Sequence, residues 1–240
     1  MWENVLTFCN AKTNTYSQHT LAVDFGTGGS YLAMDSNTLI CIGAEPASVS
    51  VYRLDLTSLL LLPLPALPAP REGTGVTRLA STVYVFGGCN AQGNDQKTSC
   101  KWTPSDSQWK PLPDMQRSRS FFTPCLYHSQ IYLFASSEDK GIETFSPVTE
   151  AYSDLSIDWP WPIHPADSVT FTDGEELCLV TYGGQLVRWR LGESQVRLEK
   201  ANQGCASTQQ AVVVGDLVLV AFQGHIKRFS LDSHSFLDEK

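Results

Sequence analysis

The sequence has no run of Lys or Arg longer than a pair and no excess of positive charge. Its 17 Lys and Arg stand against 25 Asp and Glu, a net charge of −8. Gripping a phosphate backbone or an anionic bilayer needs a basic field, so nucleic acid and membrane surfaces are not expected as partners. No Cys-x-x-Cys occurs among the seven cysteines, Cys9, Cys41, Cys89, Cys100, Cys125, Cys178 and Cys205. Their number is odd and most lie in apolar runs, which reads as reduced, buried thiols acting as small hydrophobes. There is no Asn-x-Ser/Thr sequon, and the polar stretch from Met1 to His19 lacks the apolar core of a secretion signal. A cytoplasmic location is the expectation. The most apolar run, 56–70, is broken by Pro63, Pro65, Pro68 and Pro70 and is too short to span a bilayer.

Signatures of chemistry are missing too. The histidines His19, His128, His164, His225 and His234 are too far apart in sequence to form a pair with zinc-ligand spacing. Gly-x-Ser-x-Gly is absent. The glycine-rich stretch 26–30 lacks the Lys-Ser/Thr end and the following helix that a phosphate loop needs. Glu175 and Glu176 are adjacent, so on a strand they point to opposite faces and cannot act as one acid–base pair. No catalytic residue, metal or cofactor is assigned. No window combines sustained 3.6-residue periodicity with caps, so little helix is expected.

What is present is a folding sequence with an internal period. Hydrophobic residues make up 42% of the chain and charged residues 18%, enough for a core and too little charge for disorder. The stretch 82–119 is the clearest unit. It opens with Thr82-Val83-Tyr84-Val85-Phe86-Gly87-Gly88, passes through a polar loop, and then carries Trp102 and, seven residues on, Trp109. The same anchor pair recurs as Cys9/Tyr16, Tyr52/Leu59, Phe145/Tyr152, Trp189/Val196 and Phe229/Phe236, a period of forty to fifty residues. Glycines echo it at Gly43 and Gly183-Gly184, with half a pair at Gln223-Gly224 and Ser136-Ser137 in their place elsewhere. A further short strand precedes each glycine strand, with candidates at 30–34, 75–79, 121–127, 168–171 and 209–214, each followed by turn residues.

A hydrophobic strand, a Gly-Gly pair, an aromatic second anchor and a spaced Trp resemble the kelch repeat. The turn Asn10-Ala11-Lys12-Thr13-Asn14-Thr15-Tyr16 is similar to the hairpin of the same family. The resemblance implies an all-β fold, a β-propeller of kelch type. Six blades are expected: five complete four-stranded blades plus an N-terminal blade of two strands. The whole of 1–240 reads as one propeller domain with units near 1–20 (half), 30–71, 73–116, 119–157, 168–200 and 209–240. The thin first blade suggests that this chain is a piece or isoform of a longer protein, with oligomeric state set by flanking domains.

In such a blade the loop between the second and third strands and the connection to the next blade emerge at the same end. Here those are 89–98, the longest and most polar loop, and the connections 63–72, 111–119 and 158–167. They place Asn90, Gln92, Asn94, Asp95, Arg71, Arg117, Arg119, Trp159, Trp161 and His164 as partner-binding residues, since Arg and Trp are enriched at binding hot spots. Arg71 and Arg119 also admit a structural reading as the residues that lead into first strands, and Arg117 is the freer of the three. The family resemblance implies an interaction module for a protein or peptide, such as a ubiquitin-ligase substrate adaptor or a cytoskeletal scaffold, without enzymatic activity. The alternative is a sugar-active enzyme of epimerase or oxidase type on the same fold, for which Arg71, Arg119, Glu138 and Asp173 are the available groups.

Overall fold

The computed structural model describes residues 5–10, 15–21, 28–134, 141–155, 157, 168–181, 185–200, 211–214, 217–222, 225–230, 232 and 235–237. Among them every regular element is a strand. β1 (Val5–Asn10) and β2 (Thr15–Thr20) form a hairpin, and the rest falls into four-stranded antiparallel sheets in chain order. These are β3 (Ser30–Ala33), β4 (Thr38–Ile42), β5 (Val51–Asp55) and β6 (Leu61–Pro63), then β7 (Gly75–Leu79), β8 (Thr82–Phe86), β9 (Ser99–Trp102) and β10 (Lys110–Leu112). Next come β11 (Cys125–Tyr127), β12 (Gln130–Leu133), β13 (Ile142–Ser146) and β14 (Ala151–Leu155). They are followed by β15 (Ser168–Asp173), β16 (Glu176–Thr181), β17 (Gln185–Trp189) and β18 (Arg197–Lys200). β19 (Ala211–Val214), β20 (Leu217–Phe222), β21 (His225–Ser230) and β22 (Ser235–Phe236) complete the series.

Successive sheets touch through their first strands. β3 lies against β7, β7 against β11, β11 against β15 and β15 against β19. Meandering sheets stacked face to face with their first strands together form a β-propeller, with those strands on the axis.

Each inner sheet is covered on both faces, so its strands carry apolar residues at every position rather than alternately. In β8, Val83 and Val85 face the preceding sheet and pack with Ile40, Ile42 and Val51. The intervening Tyr84 and Phe86 face the following sheet and pack with Ile131, Leu133 and Phe145. Tyr84 and Phe86 meet Phe145 edge-on, with ring centroids 5.9 and 5.6 Å apart. The parity repeats along β12 and the residue after it, where Ile131 and Leu133 look back while Tyr132 and Phe134 look forward to Leu177, Leu179 and Trp189.

The seven-residue spacing acquires a physical meaning in the outer hairpins. Cys9 pairs with Tyr16, Phe145 with Tyr152 and Phe229 with Phe236 across antiparallel strands. Trp102 and Trp109 sit at the equivalent place, 5.9 Å between ring centroids. Trp102 Nε1 donates to the Asp106 carbonyl at 3.0 Å and Trp189 Nε1 to the Glu193 carbonyl at 2.9 Å, so each indole closes its own turn. Trp109 Nε1 instead donates to the Pro65 carbonyl of the preceding sheet at 2.8 Å. The Tyr52/Leu59 pair departs from the pattern: Tyr52 faces Pro63. The turn there is longer because the Asp55 carboxylate accepts from Thr57 N at 3.0 Å and from Ser58 N at 2.8 Å, stabilising extra turn residues.

The first strand of the β11–β14 sheet is shorter than the 121–127 read from sequence, beginning at Cys125. Phe121 has φ of +50°, outside the β region, and Pro124 has no N–H for a ladder. Ser136-Ser137, Gly183-Gly184 and Gln223-Gly224 lie outside the described residues.

Candidate interaction face

Two glycines and two arginines fix the loops at one end of the ring. Gly43 and Gly87 follow β4 and β8 with φ of +67° and +56°. A Cβ on Gly43 would stand 2.6 Å from the Arg71 carbonyl oxygen, and one on Gly87 2.2 Å from that of Arg119. Neither distance admits a carbon, so glycine is what lets the segment leading into the next sheet cross there. Backbone pairs then seal the crossing. Ser48 N donates to Arg71 O at 3.1 Å and Arg71 N to Ser48 O at 3.0 Å; Gly88 N donates to Arg119 O at 2.8 Å and Arg119 N to Gln96 O at 3.2 Å.

The side chains of the same arginines turn inward. Arg71 is 3% exposed and donates from Nη1 to the carbonyls of Gly87 and Thr98 at 3.1 and 2.8 Å. Arg119 is fully buried and reaches the Glu143 carboxylate from Nε at 3.2 Å and Nη2 at 2.8 Å. Within the fold both side chains satisfy carbonyls and a carboxylate, the contacts a structural role requires. Sequence reasoning missed Glu143 altogether. It lies fully buried on β13 and also accepts Gln116 N at 2.6 Å and Arg117 N at 3.2 Å. One carboxylate thus ties the connection between two sheets to the later one. Its parity with Phe145, a core position, was the available signal.

Loop 89–98 is held by its own side chains. Asn90 Oδ1 accepts the N–H groups of Gln92 and Asn94, both at 3.0 Å. Asn90 N donates to Asn94 O at 3.0 Å and Gly93 N to Asn90 O at 2.9 Å. Gln92, Gly93 and Asn94 are exposed at the tip. Asp95 is half-buried below them, its Oδ1 accepting from the Cys89 thiol at 3.1 Å and the Ser120 hydroxyl at 2.6 Å. Burial pushes the Cys89 thiol up to about 11, with Ser120 opposing and Asp95 adding to the shift, so at neutral pH it is no nucleophile. Asn90 and Asp95 are thus the loop's internal supports, while Gln92 and Asn94 are its outward groups.

Arg117 is less free than its sequence position suggested. It is half-buried, a Cβ on Gly141 would lie 2.4 Å from its Cζ, and Nη1 pairs with Asp154. Its guanidinium occupies the space that a side chain at Gly141 would need. Nearby, Glu45 and Glu72 flank Gly28, and burial together with the Glu45 charge raises the Glu72 carboxyl above its ordinary value. Trp159, Trp161, His164 and Glu138 lie outside the described residues.

The opposite end of the ring is organised by Glu176. Burial works against its charge, but Arg188 and Arg197 hold the carboxyl below its usual range. Arg188 Nε donates to Glu176 at 2.6 Å, and its Nη2 bonds Asp173. Glu175, in the turn before β16, is exposed while Glu176, the first residue of β16, is buried, and Arg190 reaches both carboxylates at 3.5 and 3.3 Å. Asp173 stands at the β15–β16 turn, at the far end from Arg71 and Arg119, so these three of the residues weighed for sugar chemistry do not converge. Among the described residues no group of three His, Cys, Asp or Glu is placed to hold a metal ion.

Residues 70–116 match the kelch motif. The chain is similar over 109 residues to Kelch repeat and BTB domain-containing protein 2 of cowpox virus (strain Brighton Red), 27% identical, covering 44% of this chain and 19% of the relative. It is 30% identical to human Kelch-like protein 33 over 111 residues, 43% of this chain and 20% of the relative. To mouse Kelch-like protein 40 it is 33% identical over 97 residues, 38% and 15%. The chain therefore spans about a fifth of the length of the curated relatives it matches. Among solved structures, that of YjhT superposes with a TM-score of 0.66 at 18% identity, covering 84% of this chain and 72% of that one, which shows the propeller fold.

Proposed function

We propose that this kelch-repeat β-propeller works without catalysis as a protein-interaction module, holding a protein or peptide on the end where loop 89–98 and connection 111–119 emerge. The observation that carries this reading is the state of loop 89–98. Its tip is exposed and polar, yet its backbone is already fixed by the Asn90 side chain. A loop ordered before the encounter loses little conformational entropy on binding, which is what distinguishes a recognition loop from a linker. Gln92 and Asn94 are exposed at the loop tip, and Arg117, half-buried on connection 111–119, is part of the same proposed face. Trp159, Trp161 and His164 belong to the same proposed face by their sequence position. Our finer reading is the substrate-recognition end of a cytoplasmic ubiquitin-ligase adaptor, prompted by a relative whose name joins kelch repeats to a BTB domain.

Proximity labelling with the wild type and with a Gln92→Ala/Asn94→Ala variant tests the face. Neither side chain is in the core, so the variant keeps its melting temperature and loses a defined subset of neighbours. Identical neighbour lists from both chains would remove loop 89–98 from the binding surface.

A further inference from the structure

The sequence contains Thr103-Pro104, Thr123-Pro124 and Ser146-Pro147. We propose that Ser146 is a phosphorylation site for a proline-directed protein kinase and that the other two are not. Such kinases act on a Ser or Thr whose following residue brings no backbone N–H, and proline alone meets that condition. The surroundings decide among the three.

Thr123 stands between the buried Phe122 and Pro124, and its carbonyl accepts the Thr170 hydroxyl of the next sheet at 2.7 Å. A phosphoryl group there would open the contact between two sheets. Thr103 donates its hydroxyl to Asp106 Oδ2 at 2.8 Å, and its N–H goes to the same oxygen at 3.0 Å. Phosphorylation would delete that donor and bring a charge of about −2 against a carboxylate. The Lys110 and Thr103 bonds hold that carboxylate's pKa down at about 2, so it is ionised throughout the neutral range.

At Ser146 the hydroxyl oxygen acts as an acceptor and the turn contacts stay within one hairpin. It ends β13 at the turn into β14, beside Val148, which is 86% exposed. The turn is closed by backbone, Glu150 N donating to Ser146 O at 2.8 Å. The Ser146 hydroxyl oxygen already accepts Thr149 N at 3.3 Å, an N–H that a phosphate oxygen accepts more strongly. Glu150, at the other end of the same turn, already has its charge offset by Lys101 of the preceding sheet. In the reaction, Ser146 Oγ attacks the γ-phosphorus of ATP, the bridging P–O bond breaks, and ADP leaves with the electron pair. The hydroxyl proton passes to the kinase's base.

The test is incubation of the folded chain with ATP and a purified proline-directed kinase, read by peptide mass spectrometry and thermal melting. The wild type and Thr103→Ala take the label at Ser146, while Ser146→Ala and Pro147→Ala, which both spare the core, take none. The phosphorylated chain melts no lower than the unmodified one, because no contact between sheets is lost. Absence of label on the folded wild type, label at Thr103 or Thr123, or a lowered melting temperature on labelling would overturn the assignment.

Discussion

Glu143→Ala should be among the most damaging single changes on this chain, although the residue touches no proposed partner. The carboxylate and the Arg119 side chain it meets at 2.8 Å are both 0% exposed. Removing one member of a buried pair leaves the other charge without its counter-charge, a loss of about 3–5 kcal/mol. The N–H groups of Gln116 and Arg117 lose their acceptor as well, at about 1–3 kcal/mol for each that water fails to reach. Against a total stability of about 5–15 kcal/mol, that is enough to unfold much of the protein at ordinary temperature. Glu143→Gln keeps an acceptor oxygen and should lose less. The double variant Glu143→Leu/Arg119→Leu should recover a large part of the loss, because an apolar pair of similar volume often replaces a buried ion pair without net cost. Urea denaturation followed by tryptophan fluorescence measures all three. A loss below about 1 kcal/mol for Glu143→Ala, the size of an exposed surface pair, would refute the claim that this carboxylate holds the two sheets together.

Four other outcomes follow from the same geometry. Gly87→Ala must displace the Arg119 carbonyl, 2.2 Å from the new carbon, and should abolish folding, whereas Gly93→Ala has nothing within 4 Å and meets only the left-handed backbone cost of about 1–2 kcal/mol; thermal melts of the two variants compare them. Burial raises the thiols of Cys41, Cys125 and Cys178 to about 12 and those of Cys89 and Cys100 to about 11. Because the folded state keeps these protons while the unfolded state releases them near 9, this contribution is complete below pH 9 and is lost between 9 and 12, as denaturation across that range should show. The same five cysteines should resist alkylation at pH 8 until the chain unfolds, and rapid modification of any of them in the folded protein would count against their burial. Asn90→Ala frees the N–H groups of Gln92 and Asn94, so hydrogen exchange in loop 90–94 should accelerate with little change in melting temperature.

The repeat was legible because its markers are local. Trp102 and Trp109 are joined by a short hairpin, so their spacing along the chain is also their pairing across the strands, and the same ruler finds Phe145 facing Tyr152. It misjudged Tyr52, whose partner is displaced to Pro63 by a side-chain-capped turn that spacing alone does not reveal. The crossing at Gly87 was readable as a need for glycine, but not the reason, which is a carbonyl that arrives from Arg119 in the connection to the next sheet. Glu143 was overlooked for the same kind of cause. Its donors come from 116–119, and only the folded ring brings them to β13. Arg117 likewise read as free because Gly141 and Asp154, which hold it down, are distant in sequence. On the proposed face, loop 89–98 was recognisable by length and polarity, while the division of labour between Asn90 inside and Gln92 outside depends on hydrogen bonds that composition does not encode.

The central claim is that partners meet the end of the ring carrying loop 89–98. Site-specific photo-crosslinking in cells tests it directly, with the photoreactive residue placed at Gln92 on that loop or at His128, exposed in the turn between β11 and β12 at the opposite end. The account predicts a discrete protein adduct from position 92 and none from position 128. An adduct from position 128 alone, or from neither position, would contradict it.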